Sequence, residues 1–409
     1  MPVMRNIGVL ATCAAEGGQG DIHPITNAAL AWEDGRITWV GRDEDLPGEY
    51  AEDSLYIGQS GMLIIPGLVD CHTHLAFGGW RAHEFVERIQ GRTYQEIAAA
   101  GGGIASTVAQ THAISSEALL DKCVSFLRGM LSLGVTTVEC KSGYGLTVRE
   151  ELRLLRVYRE LAAAGPQRLV PTLLGAHTIP PEMRDRREAY VDLVINEMIP
   201  AVAREHLATC CDVFVERGAF TVDEARRILR AAREAGLRTK LHADQLSDGG
   251  GAALAAEVGA ISADHLEHAS DSGIAAMAEA GVVAVSLPLA TLYLGQAPMP
   301  ARRFIDGGVR VAVATDFNPG SAPSYHLPLA LTLACTTQRM TPAEALKGAT
   351  IYAARAVGLD AEIGSLEPGK RADFVLIDAP TVDQWLYNFR ANACCVTHIA
   401  GVAAWPEDA

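Results

Sequence analysis

MLIIPGLVDCHTHLAFGG, residues 62–79, is the stretch on which the fold turns. An apolar run from Met62 to Ile65 breaks at Pro66 and Gly67, resumes at Leu68 and Val69, and then delivers Asp70, His72 and His74. Apolar residues without polar alternation suit a strand buried on both faces, as in a parallel sheet. His72 and His74 are two apart, so on extended chain both rings project to the same side. Two imidazoles converging at a strand end suit a borderline metal such as zinc or ferrous iron. The plainer alternative is a surface loop with two unrelated histidines, and further ligands must decide between the two.

Downstream of this stretch lie seven more strand candidates: 134–141 (GVTTVECK), 168–177 (RLVPTLLGAH), 212–216 (DVFVE), 238–242 (RTKLH), 262–265 (SADH), 282–286 (VVAVS) and 310–316 (RVAVATD). Helical periodicity fills most of the gaps, over 117–133, 149–164, 188–210, 222–235, 252–258, 271–280 and 327–338. Gly134, Gly236 and Gly281 stand where a helix closes before the next strand. Eight strands with helices between them predict an α/β fold, a (β/α)8 TIM-like barrel. Both ends of the chain read as β: 6–12, a hairpin over 28–40 around Asp34–Gly35, 56–58, 372–378 (ADFVLID) and 396–402. They predict a smaller β-sandwich composed of both termini, with bounds at 1–63, 64–357 (the barrel) and 358–409.

Composition narrows the function. The chain has 409 residues and a formal net charge of −15, which argues against nucleic acid and anionic membrane as partners. An anionic substrate would need a dedicated local cation. The nine cysteines show no zinc-ribbon spacing, and the adjacent pairs Cys210–Cys211 and Cys394–Cys395 read as reduced thiols. The first residues, MPVMRNIGVL, lack a long apolar core followed by a small-residue cleavage site, so no targeting segment is expected, and no stretch is long and apolar enough to span a bilayer. A cytoplasmic enzyme is the expectation.

Barrels of this kind build their sites at the C-terminal strand ends. There the chain places His72 and His74, then Lys141 and Tyr144, His177, Glu216, His242, His265 and Asp316. Five of the twelve histidines fall at such ends. Three neutral imidazoles and one carboxylate leave a divalent cation with net charge +1 and room for a water. Asp316 has a second oxygen to accept a proton. His265 lies one strand beyond His242 and can reach the same water, although a core histidine satisfied by Asp264 or Glu267 is the plainer reading of it alone. Glu216 and Lys141 are either ligands of a second metal or residues behind the ligands. Lys141 follows strand two rather than strand four, which argues against a bridging carbamylated lysine.

These motifs resemble the amidohydrolase superfamily, and within it the members that open imidazolone rings. The resemblance runs over nearly the whole chain. It is carried by PGLVDCHTHLAFGGWRAHEF (66–85), GGGIAST (101–107), VECKSGYGL (138–146), LGAHTIP (174–180), KLHADQ (240–245), SADHLEH (262–268) and ATDFNPGS (314–321). It implies metal ligands at His72, His74, His242 and Asp316, holding one divalent ion, zinc or iron. It implies catalytic roles for His265 and Asp316, and substrate binding by Arg81, Tyr144, His177, Gln245, Asn318, Gly320 and Ser321. The implied reaction is metal-dependent hydrolysis of the cyclic amide of 4-imidazolone-5-propanoate to N-formimidoyl-L-glutamate, by a homodimer. Arg81 would take the substrate carboxylate, and donors such as His177 would stabilise the developing oxyanion. Where ring aminohydrolases of this superfamily carry a glutamate, this chain has Gln245, an amide that cannot shuttle a proton, which weakens a deaminase reading. The rivals are another cyclic-amide hydrolase, of hydantoinase or dihydroorotase type, and a non-catalytic scaffold of the same fold.

Overall fold

The apolar run at the head of residues 62–79 is two strands that serve two different sheets. The computed structural model describes residues 2–50, 61–93, 96–97 and 100–406; the short element expected at 56–58 lies outside them. Along the chain, β1 (Val3–Ala11), β2 (Pro24–Glu33), β3 (Arg36–Arg42) and β4 (Leu63–Pro66) come first. The second group is β5 (Leu68–Asp70), β6 (Val135–Lys141), β7 (Arg168–Ala176), β8 (Cys210–Val215), β9 (Arg238–Ala243), β10 (Ser262–His265), β11 (Val283–Ser286) and β12 (Val311–Val313). β13 (Phe374–Ile377), β14 (Cys394–Ile399) and β15 (Val402–Trp405) end the order.

Strands β5 to β12 form an eight-stranded parallel sheet in sequential order. β6, β10, β11 and β12 are buried along their whole length, although of these four only β12 is apolar throughout. Beyond the strand ends, the first and last strands meet through a parallel bridge between Thr73 and Phe317. Asp316 N–H donates to the His72 carbonyl at 3.0 Å and His74 N–H to that of Phe317 at 2.8 Å. Helices cover the outside. Ser115, Thr147, Thr221 and Ser270 cap their N-termini through side-chain oxygens. The glycines at 134, 236 and 281 take positive φ where helices hand over to strands.

The remaining strands make a seven-stranded mixed sheet in the order β15-β14-β13-β4-β1-β2-β3, which joins both ends of the chain. Its own core includes Ile7, Leu10, Trp32, Ile64, Phe374 and Leu376. Asp34 and Gly35, both at positive φ, form the expected two-residue turn between β2 and β3.

Two expectations are corrected. The helix foreseen over 188–210 is interrupted: Arg187–Leu193 and Ile199–Glu205 flank a π-helical turn at Val194–Met198, and Cys210 already belongs to β8. Pro200 is the cause, because it has no N–H to donate and its ring crowds the preceding turn. The strand foreseen over 396–402 is two antiparallel strands, since Ala400 and Gly401 both turn at positive φ and fold β15 back on β14. Among the described residues no helix is long and apolar enough to cross a membrane.

Gly67 is the single residue between β4 and β5, and a Cβ there would collide with the side chain of Thr136. Overpacking a buried position costs about 1–3 kcal/mol. Gly67→Ala is therefore expected to lower the unfolding free energy obtained from chemical denaturation by that amount, and Thr136→Ser in the same chain to recover part of it.

Candidate metal centre and substrate cavity

His72, His74, His242 and Asp316 are all buried and converge at the mouth of the barrel. His74 Nε2 lies 3.4 Å from His242 Nε2. Asp316 Oδ1 lies 3.4 Å from His72 Nε2 and 3.5 Å from His74 Nε2. A tetrahedron with metal–ligand bonds of 2.0–2.1 Å has edges of about 3.3–3.4 Å. His72 Nε2 is moreover a buried polar atom with no hydrogen-bond partner among the described residues. Donor chemistry, spacing and the unpaired nitrogen all fit a divalent cation. His265 stands on the far side, its ring 5.4 Å from that of His242 and 5.6 Å from that of His72.

The tautomers are set from behind. His72 Nδ1 donates to Asp264 Oδ2 at 2.6 Å and His242 Nδ1 to Asp212 Oδ1 at 3.1 Å, which turns both Nε2 lone pairs toward the centre. These two carboxylates share one cation. Lys141 Nζ lies 2.7 Å from Asp212 Oδ2, 2.8 Å from Glu139 Oε1 and 3.5 Å from Asp264 Oδ2, all of them wholly buried. Lys240 is 3.7 Å from Asp264. Burial alone would raise both aspartates. His242 and Lys141 beside Asp212 hold it well below the usual carboxylate range, and Lys240 and Lys141 hold Asp264 down likewise. Lys141 is thus a buried counter-ion. Glu216 accepts from the Leu246 and Ser247 amides at 2.8 and 3.3 Å, and anchors the loop that carries Gln245. With their charged groups engaged in this way, neither is free to ligate a second metal.

A cavity of about 590 Å³ opens on the centre, and Arg81, Tyr144, His177, Gln245, Asn318 and Ser321 all line it. Arg81 is buried; its Nη1 lies 3.7 Å from the Glu84 carboxylate, and its Nε and Nη1 make no hydrogen bond among the described residues. Gly320 does not line the cavity, but a Cβ on it would fall on the Arg81 guanidinium, so the glycine makes the space that Arg81 occupies. Tyr144 rides on a loop whose amides at Gly143, Gly145 and Leu146 all donate to the Glu151 carboxylate, at 3.0, 2.8 and 2.8 Å. Asn318 spends its polar groups on its own loop. Its Oδ1 accepts from the Gly320 and Ser321 amides and its Nδ2 donates to the Asp316 carbonyl and the Ser321 hydroxyl. It shapes the loop rather than keeping a donor spare.

His177 is oriented from behind as well. Its Nδ1 lies 2.9 Å from the Gly143 carbonyl, which can only accept, so Nδ1 carries the proton. Burial pushes the ring down to about 3, so it is neutral in the working pH range. Nε2 therefore presents a lone pair and cannot donate to an oxyanion.

Comparison with known proteins agrees with this geometry. Residues 63–403 match the Amidohydrolase family. The imidazolonepropionase of Symbiobacterium thermophilum is 51% identical over 382 residues, covering 91% of this chain and 90% of that protein. That of Geobacillus kaustophilus is 48% identical over 375 residues, covering 91% and 88%. The chain belongs to the imidazolonepropionase branch of the amidohydrolase family. Among solved structures, Escherichia coli guanine deaminase superposes with a TM-score of 0.70 at 16% identity, covering 98% of this chain and 99% of that one. A zinc complex of atrazine chlorohydrolase from Arthrobacter aurescens gives 0.70 at 16%, covering 98% and 95%. At that identity they share the fold.

This amidohydrolase depends on residues that the strand-end reading passes over. Asp70, Glu139, Asp212 and Asp264 are charged residues inside apolar strands, and that anomaly is the signal that could have found them. Asp70 accepts from the Thr315 amide and hydroxyl at 3.1 and 2.6 Å and so holds the residue next to Asp316. Removing one partner of a buried ion cluster costs about 3–5 kcal/mol, and removing a partner behind a metal ligand weakens metal binding about 10–100-fold. Lys141→Met is expected to do both, as read by thermal unfolding and by competition with a chromogenic chelator.

Proposed function

We propose that this chain hydrolyses the cyclic amide C–N bond of 4-imidazolone-5-propanoate to N-formimidoyl-L-glutamate. His72, His74, His242 and Asp316 would hold one divalent ion, zinc or iron. The observation that carries this reading is the placement, around one cavity, of four converging donors with separations of 3.4–3.5 Å between three of their pairs and of a buried arginine with donors to spare. The first suits activation of a water at an amide carbonyl. The second suits the carboxylate of an anionic substrate on a chain of net charge −15. When bound, a divalent cation lowers the pKa of a water from ~15.7 toward ~7 and polarises the ring carbonyl.

The protein's own groups divide the remaining work. Arg81 binds the propanoate arm and fixes the ring over the centre. His177 Nε2 accepts from a ring N–H, and Gln245 offers a donor and an acceptor to the ring nitrogens. Asp316 directs Oδ1 at the histidines, while Oδ2 lies 3.4 Å from the Ser321 hydroxyl and is available to take the proton of the attacking water. The water oxygen bonds to the ring carbonyl carbon and the ring C–N bond breaks. His265, within 4.8 Å of Asp316, takes that proton from Asp316 on its Nε2 and delivers it to the departing nitrogen. One molecule of water is consumed and a new carboxylate appears. The engagement of Lys141 and Glu216 elsewhere supports one ion rather than two. All nine cysteines are free, which supports a reducing, cytoplasmic compartment.

Two variants test this with an ultraviolet assay of imidazolone consumption. Arg81→Ala is expected to lose on the order of 2 kcal/mol of substrate binding, about a 30-fold rise in KM, because it removes the partner of a buried carboxylate. An unchanged KM would take Arg81 out of the carboxylate site. His265→Ala is expected to lower kcat about 10²–10⁴-fold with metal content retained. Parallel loss of metal and activity would make His265 a ligand instead.

A further inference from the structure

One buried acid in the barrel mouth has no place in the scheme so far. β10 ends at His265, which takes φ 79°, and Leu266 follows at φ 67°. Two successive non-glycine residues in the left-handed region make a costly turn, which persists only if its surroundings hold it. They do: the Leu266 and His268 amides donate to the Ala243 and Asp244 carbonyls at the end of β9, both at 2.9 Å. The turn brings Glu267 back against the ring from which it started. Glu267 Oε1 lies 3.8 Å from His265 Nδ1, and both side chains are 2% exposed. Among the described residues neither carboxylate oxygen has a hydrogen-bond partner, and neither does His265 Nδ1.

Buried polar atoms rarely go unpaired, and here an acceptor and a ring nitrogen face each other. Three of the four other rings of the cluster follow one pattern; His74, whose Nδ1 has no hydrogen-bond partner among the described residues, is the exception. His72, His242 and His177 each set Nδ1 on an oxygen: Asp264, Asp212 and the Gly143 carbonyl. Asp264, which could have served His265, is turned toward His72 and the lysines. Glu267 is the acceptor left for His265. A separation of 3.8 Å is a small side-chain rotation short of a hydrogen bond, and bonds of this kind tighten when substrate binds.

We propose that Glu267 is a positioning residue: its carboxylate takes the Nδ1–H of His265, fixes the ring plane and tautomer, and leaves Nε2 facing the cavity. This rests on the reading of His265 as the group that carries the proton to the leaving nitrogen. Glu267 then acts only through His265.

The test uses two replacements of similar volume in the metal-loaded enzyme. Glu267→Met removes the acceptor, whereas Glu267→Gln keeps an oxygen that can accept Nδ1–H. Glu267→Met is expected to lower kcat about 10–100-fold, the size seen when partners behind functional histidines are lost, with KM and metal content unchanged. Glu267→Gln is expected to stay within a few-fold of the parent. In ¹⁵N-histidine spectra the parent and Glu267→Gln should show His265 as the Nδ1–H tautomer, and Glu267→Met should lose it. In a His265→Ala background, Glu267→Met should have no further effect on kcat. Equal kcat for Glu267→Met and the parent, or equal losses for the Met and Gln variants, overturns the inference while the hydrolytic reading stands. Full turnover by His265→Ala alone removes the premise about His265, and this inference with it.

Discussion

An ammonium group sealed from water governs the mouth of this barrel. Lys141 is wholly buried, and a lone charge there would be prohibitive. It survives because Glu139 and Asp212 lie within 2.8 Å and Asp264 within 3.5 Å. The same need works in reverse, since two of those carboxylates would be untenable without Lys141 and Lys240. Having been made ionic and fixed, Asp212 and Asp264 each spend an oxygen on a histidine Nδ1. The charge balance of the barrel interior thereby decides which nitrogen of His242 and of His72 faces the centre. Stability and ligand orientation are one network, and neither can be altered alone.

The backbone adds a second tie. The first and last barrel strands meet through Thr73 and Phe317, beyond the ends of β5 and β12. The hydrogen bonds that close the ring are made by His72, His74, Asp316 and Phe317 themselves. Three of the four centre residues are therefore set by the same backbone pairs that complete the barrel. Asp70 reinforces the seam by holding Thr315 from the opposite strand. The fourth, His242, is held across the barrel by Asp212.

Much of this was legible in the letters. The alternation of short strand segments with helical periodicity was enough to place strands: 262–265 coincides with β10 and 134–141 misses β6 by one residue. Same-side projection of alternate residues was enough to pair His72 with His74. What could not be read was non-local. Glu139, Asp212 and Asp264 appear as stray charges in apolar strands until neighbouring strands bring Lys141 among them. The proton on His177 is set by a carbonyl 34 residues away, at Gly143, a pairing that no local pattern announces. Asn318 reads as a binding residue, but its amide is consumed by its own turn. Backbone defects were similarly hidden, in the π-turn before Pro200 and the hairpin at Ala400–Gly401.

The nesting of Arg81 against Gly320 has a consequence for substrate length. Arg81 sits on the loop that leaves His74, and Gly320 on the loop that leaves Asp316. The two loops are joined at their roots by the barrel seam, and Gly320 gives the guanidinium its space, so both ends of the span from the centre to Arg81 start from paired backbone. On the proposed reading that span is a gauge. A homologue with one methylene fewer in its acid arm could satisfy the arginine or present its carbonyl to the centre, but not both, and selectivity would come from a fixed distance rather than from the shape of the cavity wall.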